Sequence, residues 1–138
     1  MRFAISSLSP GDRPVIVGVG VEWLELPRFA ALIRRHEGRL RKRVFTEREL
    51  AYADRRQARP GESLAVRFAA KVAARRALAL RGAGWRDIEV VREDDKPPTL
   101  ELYGEARRTA ERLGVTRVHL TLTHDAGCCI GQVILESD

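Results

Sequence analysis

The stretch Val15-Ile16-Val17-Gly18-Val19-Gly20-Val21 constrains this chain more than any other, because it is β-branched at every position except two glycines. Branched side chains favour the pleated backbone, and a glycine inside a strand marks a place where something approaches closely. The segment therefore reads as a buried strand. Ahead of it, residues 1 to 13 carry Ser6, Ser7, Pro10 and Gly11 without any period and read as a flexible lead-in, leaving one domain over residues 14 to 138. That length suffices for a single hydrophobic core.

Helix signals follow. Pro27 suits a first helical position and Gly38 a stop, so a helix is predicted over Arg28 to Glu37 with Phe29, Leu32 and Ile33 inward. Thr46-Glu47-Arg48-Glu49 has the spacing of a capping box and opens a second helix to about Ala58, which Pro60 and Gly61 end. The alanine-rich run from Ser63 to about Leu80 is the longest helix, closed by Gly82 and Gly84. Strands are expected over Asp87 to Arg92 and Thr99 to Leu102, then a short helix from Glu105 to Leu113, then strands over Arg117 to Thr123 and Cys128 to Leu135. The helices are not interleaved one per strand, so an α+β fold with an antiparallel or mixed sheet and helices on one side fits better than a doubly wound one.

Charge narrows the partners. Of 25 basic residues all but Lys42, Lys71 and Lys96 are arginine, and the net charge is +6, which favours an anionic partner. Nucleic acid ranks third among such partners, since aromatic residues are few and no zinc-finger spacing or helix-turn-helix is visible. No apolar run reaches the ~18 to 20 residues of a membrane span, so a cytoplasmic protein is expected. Cys128 and Cys129 are adjacent and read as structural thiols, not as a disulfide or a metal finger.

Four segments carry a resemblance: Gly18-Val19-Gly20-Val21-Glu22-Trp23-Leu24-Glu25, Arg67-Phe68-Ala69-Ala70-Lys71-Val72-Ala73, Lys96-Pro97, and Thr121-Leu122-Thr123-His124-Asp125. In this order, from Val15 to Glu136, the chain resembles the holo-acyl-carrier-protein synthases, the 4'-phosphopantetheinyl transferases that move the arm of coenzyme A onto a carrier-protein serine. The resemblance implies that family's fold, a homotrimer with sites between subunits, magnesium at the pyrophosphate, and an acidic acyl carrier protein as partner. Arg28, Arg35 and Arg39 would then dock the carrier protein. Lys71, Arg76, Lys96, Pro97 and His119 would bind coenzyme A or a carrier-bound phosphopantetheine. His124 and Asp125 would be catalytic, since a histidine titrates near neutrality and can serve as acid or base.

The sequence departs from the family at the metal. Magnesium needs hard oxygen ligands, yet Glu22 stands where the family has an aspartate, and Val72 replaces the helix glutamate and cannot bind a metal. Glu25 could stand in only if a helical turn joined it to Glu22. A magnesium site with two carboxylates is therefore not expected. The reading placed first is a repurposed relative that acts on the acyl or polyketide chain of a carrier protein by metal-independent acid-base chemistry, as a dehydration, isomerisation or cyclisation. Two alternatives stand beside it: a working magnesium-dependent holo-acyl-carrier-protein synthase, and a non-catalytic subunit that binds carrier protein.

Overall fold

A computed structural model describes residues 13–36, 38–55, 60–82, 84–93 and 95–138. Its elements run β1 (Val15–Glu25), α1 (Leu26–Arg35), α2 (Arg39–Val44), α3 (Glu47–Arg55), α4 (Pro60–Ala77), a 3-10 turn (Trp85–Asp87), β2 (Ile88–Val91), β3 (Thr99–Leu102), α5 (Gly104–Arg112), β4 (Val115–Asp125) and β5 (Cys128–Ser137). The α+β class and the antiparallel pairing expected from sequence are both present. The strands form two sheets, though, one of order β1-β5-β4 and one pairing β2 with β3. Of the expected lead-in, all but Arg13 lies outside the described residues, as does Asp94 of the expected turn.

Helix α4 organises the rest. Leu64, Ala65, Ala69, Ala70, Ala73, Ala74 and Ala77 are all buried, so the helix is enclosed on nearly every side. Small side chains let it lie close on the sheet, and the sheet answers with glycine. A Cβ on Gly131 would come within 2.7 Å of the Ala69 carbonyl carbon, and one on Gly20 equally near that of Ala73. The strand glycines thus mark the close approach of α4, which lies across β1 and β5. Pro60 and Gly61, expected to end a helix, instead open this one, as a proline in the first turn can.

The capping box forms as the spacing predicts. The Thr46 backbone N–H donates to Glu49 Oε1 at 2.9 Å, and that of Glu49 donates to Thr46 Oγ1 at 3.3 Å. The short helix α2 escaped the sequence reading; it starts behind Gly38 in the left-handed region at φ 80° and has no side-chain cap.

Strand β1 corrects one expectation. Gly18, Gly20 and Glu22 face α4, but Val19, Val21 and Trp23 alternate onto the opposite face and are 52%, 46% and 65% exposed. Ile130 of β5, paired with Trp23, extends this bare apolar patch. No described residue covers it, so among the described residues the strand is buried on one face only. Among the described residues no helix is long and apolar enough to cross a membrane.

Candidate active site

Glu22, Val72 and Arg76 on one side and His124 on the other stand at opposite edges of the three-stranded sheet. At the β1 edge, Glu22 Oε2 pairs with Arg76 Nη1 of α4 at 3.2 Å, and the same Nη1 donates to the Val21 carbonyl at 2.6 Å. Arg76 is thereby held over the strand. Val72 lies one helical turn before it and, with Arg75, Arg76, Arg81 and Trp85, lines a hollow of about 310 Å³. The Arg75 guanidinium stacks over the Trp85 ring at 4.3 Å and donates to the Gly82 carbonyl.

At the β4 edge stands His124, whose Nδ1 lies 2.5 Å from Glu62 Oε1 in the first turn of α4. A carboxylate only accepts, so the proton of a neutral imidazole sits on Nδ1 and the lone pair on Nε2. That arrangement orients the ring and leaves Nε2 as the basic atom. Asp125 is not its partner: adjacent strand residues point to opposite faces, so Asp125 follows Thr123 and Ile130 onto the bare face of the sheet. The expected His124–Asp125 pair is thus replaced by His124–Glu62, which links positions 62 residues apart.

Within one chain the two edges do not meet. Glu22 pairs across β1 with Gly131, and His124 pairs across β4 with Cys129. Two strand spacings and two residues of rise separate them, roughly 12 Å between Cα atoms.

Four expected cofactor residues are placed elsewhere. Lys71 is completely buried, with Nζ 2.6 Å from Glu49 Oε1 and donating to the Ile88 carbonyl at 2.5 Å and the Trp85 carbonyl at 3.1 Å. Burial pushes its pKa down, Glu49 opposes that, and no ligand can reach it. It ties α3 and α4 to β2, because Glu49 Oε2 also accepts from the Val90 N–H at 3.0 Å. His119, on β4 like His124, lies on the bare sheet face, opposite to the face that His124 occupies, with Nε2 3.2 Å from Glu136 Oε2. Lys96 and Pro97 sit exposed at the β2–β3 turn, and Lys96 pairs with Glu93 at 2.8 Å, which raises its pKa.

Arg28 and Arg35, two turns apart on α1, line a cleft of about 650 Å³ together with Glu22, Trp23, Leu24 and Phe29. Arg39 is exposed on α2 beyond them. A further cleft of about 790 Å³ was missed as a site: Arg48, Arg55, Arg67 and Arg92 surround it with Tyr52. The Arg67 guanidinium lies 4.2 Å over the Tyr52 ring, and its Nε is buried with no hydrogen-bond partner among the described residues. The signal that could have found it is Arg67 itself, a charge in the middle of a helix otherwise rich in alanine.

Magnesium, which the resemblance brings with it, does not fit the residues present. Glu22 is the one carboxylate at the two aligned positions, its oxygen is engaged by Arg76, and Val72 offers hydrocarbon. Glu25, in the same strand as Glu22 and three residues on, points to the opposite face and cannot complete a ligand pair. Among the described residues no group of three or more His, Cys, Asp or Glu is arranged to hold a metal.

Known proteins agree on the fold and on one chemistry. A holo-[acyl-carrier-protein] synthase of Cutibacterium acnes is 42% identical over 123 residues, covering 88% of this chain and 99% of its own. The solved synthase of Neisseria meningitidis is 28% identical and superposes with a TM-score of 0.79, covering 89% of this chain and all of its own. That of Bacillus anthracis, solved in complex with CoA (3',5'-ADP), is 31% identical with a TM-score of 0.71, covering 89% and 98%. These relatives support the transfer reading that stood second and lend none to the acyl-chain chemistry that stood first. The profile of the 4'-phosphopantetheinyl transferase superfamily matches residues 18–129, and this chain belongs to that family.

Proposed function

We propose that the protein is a holo-acyl-carrier-protein synthase, transferring 4'-phosphopantetheine from coenzyme A to a serine of an acyl carrier protein in the cytoplasm. The observation that carries this reading is the 42% identity to such a synthase along nearly the full length of both chains. Coenzyme A is a polyanion, with a 3'-phosphate and a pyrophosphate, and both arginine-lined hollows suit it. Arginine forks match phosphate oxygens in pairs, and Arg48, Arg55 and Arg92 line the larger of the two. An acidic carrier protein suits Arg28, Arg35 and Arg39.

The two edges of the sheet would complete each other between copies. The apolar patch of Val19, Val21, Trp23 and Ile130 is what a second copy would cover. In a closed trimer the β4 edge of one copy can then meet the β1 edge of the next. His124 Nε2 takes the serine proton as the serine oxygen bonds to the phosphorus bearing pantetheine. The phosphorus–oxygen bond within the pyrophosphate breaks, 3',5'-ADP leaves, and Arg76 bears on the charge that moves onto it. Glu62 holds the imidazole in the basic tautomer throughout.

Incubation of the purified protein with apo acyl carrier protein and coenzyme A, followed by intact mass spectrometry, tests the reading. Gain of the phosphopantetheine mass at an enzymatic rate, lost in His124→Ala, is expected. A carrier protein that stays apo sinks it.

A further inference from the structure

We infer that the guanidinium groups around Val72 take the place of magnesium, so that coenzyme A binds this protein without a divalent cation. The inference rests on the proposed function for its ligand and goes beyond it in the chemistry of the site. A pair of carboxylates facing a pyrophosphate repels it unless a divalent ion lies between them, because all the partners are anions. Here that need is absent. One carboxylate position is Val72, a hydrocarbon wall, and the other, Glu22, is already neutralised by Arg76 at 3.2 Å. Arg75 and Arg81 line the same hollow, so it presents three guanidinium groups against one neighbouring carboxylate, two net positive charges, as many as the ion carries.

Geometry favours direct contact with phosphate. Arg76 is anchored through a single nitrogen, Nη1, to both Glu22 Oε2 and the Val21 carbonyl, and its side chain is 56% exposed, so the far edge of the guanidinium faces the opening. A planar fork of donors matches phosphate oxygens in pairs, which an ammonium cannot do. Arg75, pinned over Trp85 and to Gly82, forms a rigid back wall. Such a site has the ion's charge built into the fold, at the cost of the adjustable geometry that water-bearing magnesium gives.

Isothermal titration of coenzyme A tests this, with the protein in EDTA and in magnesium. The expected dissociation constants agree within about 2-fold, and Arg76→Ala weakens binding by about 10- to 100-fold in both buffers, the worth of a charge-assisted hydrogen bond. Val72→Glu restores a second carboxylate one turn from Arg76, and its binding is expected to become dependent on magnesium. Parental affinity that falls by about 10-fold or more in EDTA overturns the inference while leaving the proposed function standing. Coenzyme A that binds in neither buffer overturns both. Circular dichroism melts of both variants, each altered at a residue with an accessible side chain, establish that they fold.

Discussion

Replacing Gly131 by alanine puts the packing of α4 to a quantitative test. The added Cβ would lie 2.7 Å from the Ala69 carbonyl carbon and 2.8 Å from both the Ala69 oxygen and the Ala70 nitrogen. Nonbonded carbons settle about 3.5–4.0 Å apart, so α4 must lift by about 1 Å. All three neighbours are backbone atoms, and no rotamer change can relieve them. Lifting also loosens Ala69, Ala70 and Ala73, none of which is exposed at all. Overpacking costs about 1–3 kcal/mol, and rigid backbone places this case at about 3 kcal/mol. For a chain of this length each kcal/mol is worth about 3–5 °C, so Tm should fall by about 10–15 °C. Gly61→Ala is the counterpart on the same helix: nothing lies within 4 Å of its Cβ, and it should gain about 0.5–1 kcal/mol. Thermal and urea denaturation followed by circular dichroism reads both. A Gly131→Ala protein that melts within about 2 °C of the parent refutes the close approach of helix and sheet.

Other consequences follow from the same packing. Lys71→Met strands the buried Glu49 carboxylate and should cost about 3–5 kcal/mol in urea denaturation, with part recovered when Glu49→Gln is added; an unchanged midpoint would mean that the pair contributes nothing. Burial pushes the Cys129 thiol up to about 11. In the unfolded chain it ionises near its ordinary value of about 8.5, so the folded form holds its proton longer, and stability is full below that pH and lost as pH rises toward 11. Cys129→Ala should flatten this alkaline slope in melts taken across the range. Val21→Asp places a charge in the bare apolar patch and should convert an oligomer to monomer in sedimentation velocity; an unaltered species would mean that copies do not meet there.

How much of this was legible in the sequence depended on range. The capping box of Thr46 and Glu49 spans three residues and is a local signal, so it was readable as such. The glycines of β1 announced a close approach, though not that α4 makes it. His124 and Asp125 are neighbours in sequence and suggest a pair, but a strand turns neighbours to opposite faces; the partner, Glu62, is joined to His124 only by the path of α4 over the sheet. Lys71 is expected to bind coenzyme A because it matches the helix lysine of the family that the chain resembles. Its carboxylate partner, 22 residues earlier, makes it a core residue. The apolar pattern of β1 predicts cover, and nothing in a single sequence says whether that cover comes from the same chain or from another copy.

Co-expression of two variants tests whether phosphopantetheine is transferred at a centre completed between copies. His124→Ala and Arg76→Ala proteins should each transfer slowly alone. Assembled together at random, about one quarter of neighbouring pairs regain an intact His124 facing an intact Arg76, so intact-mass assays should recover about one quarter of the parental rate. A mixture no faster than either variant by itself would contradict the account and return both residues to a site within one chain.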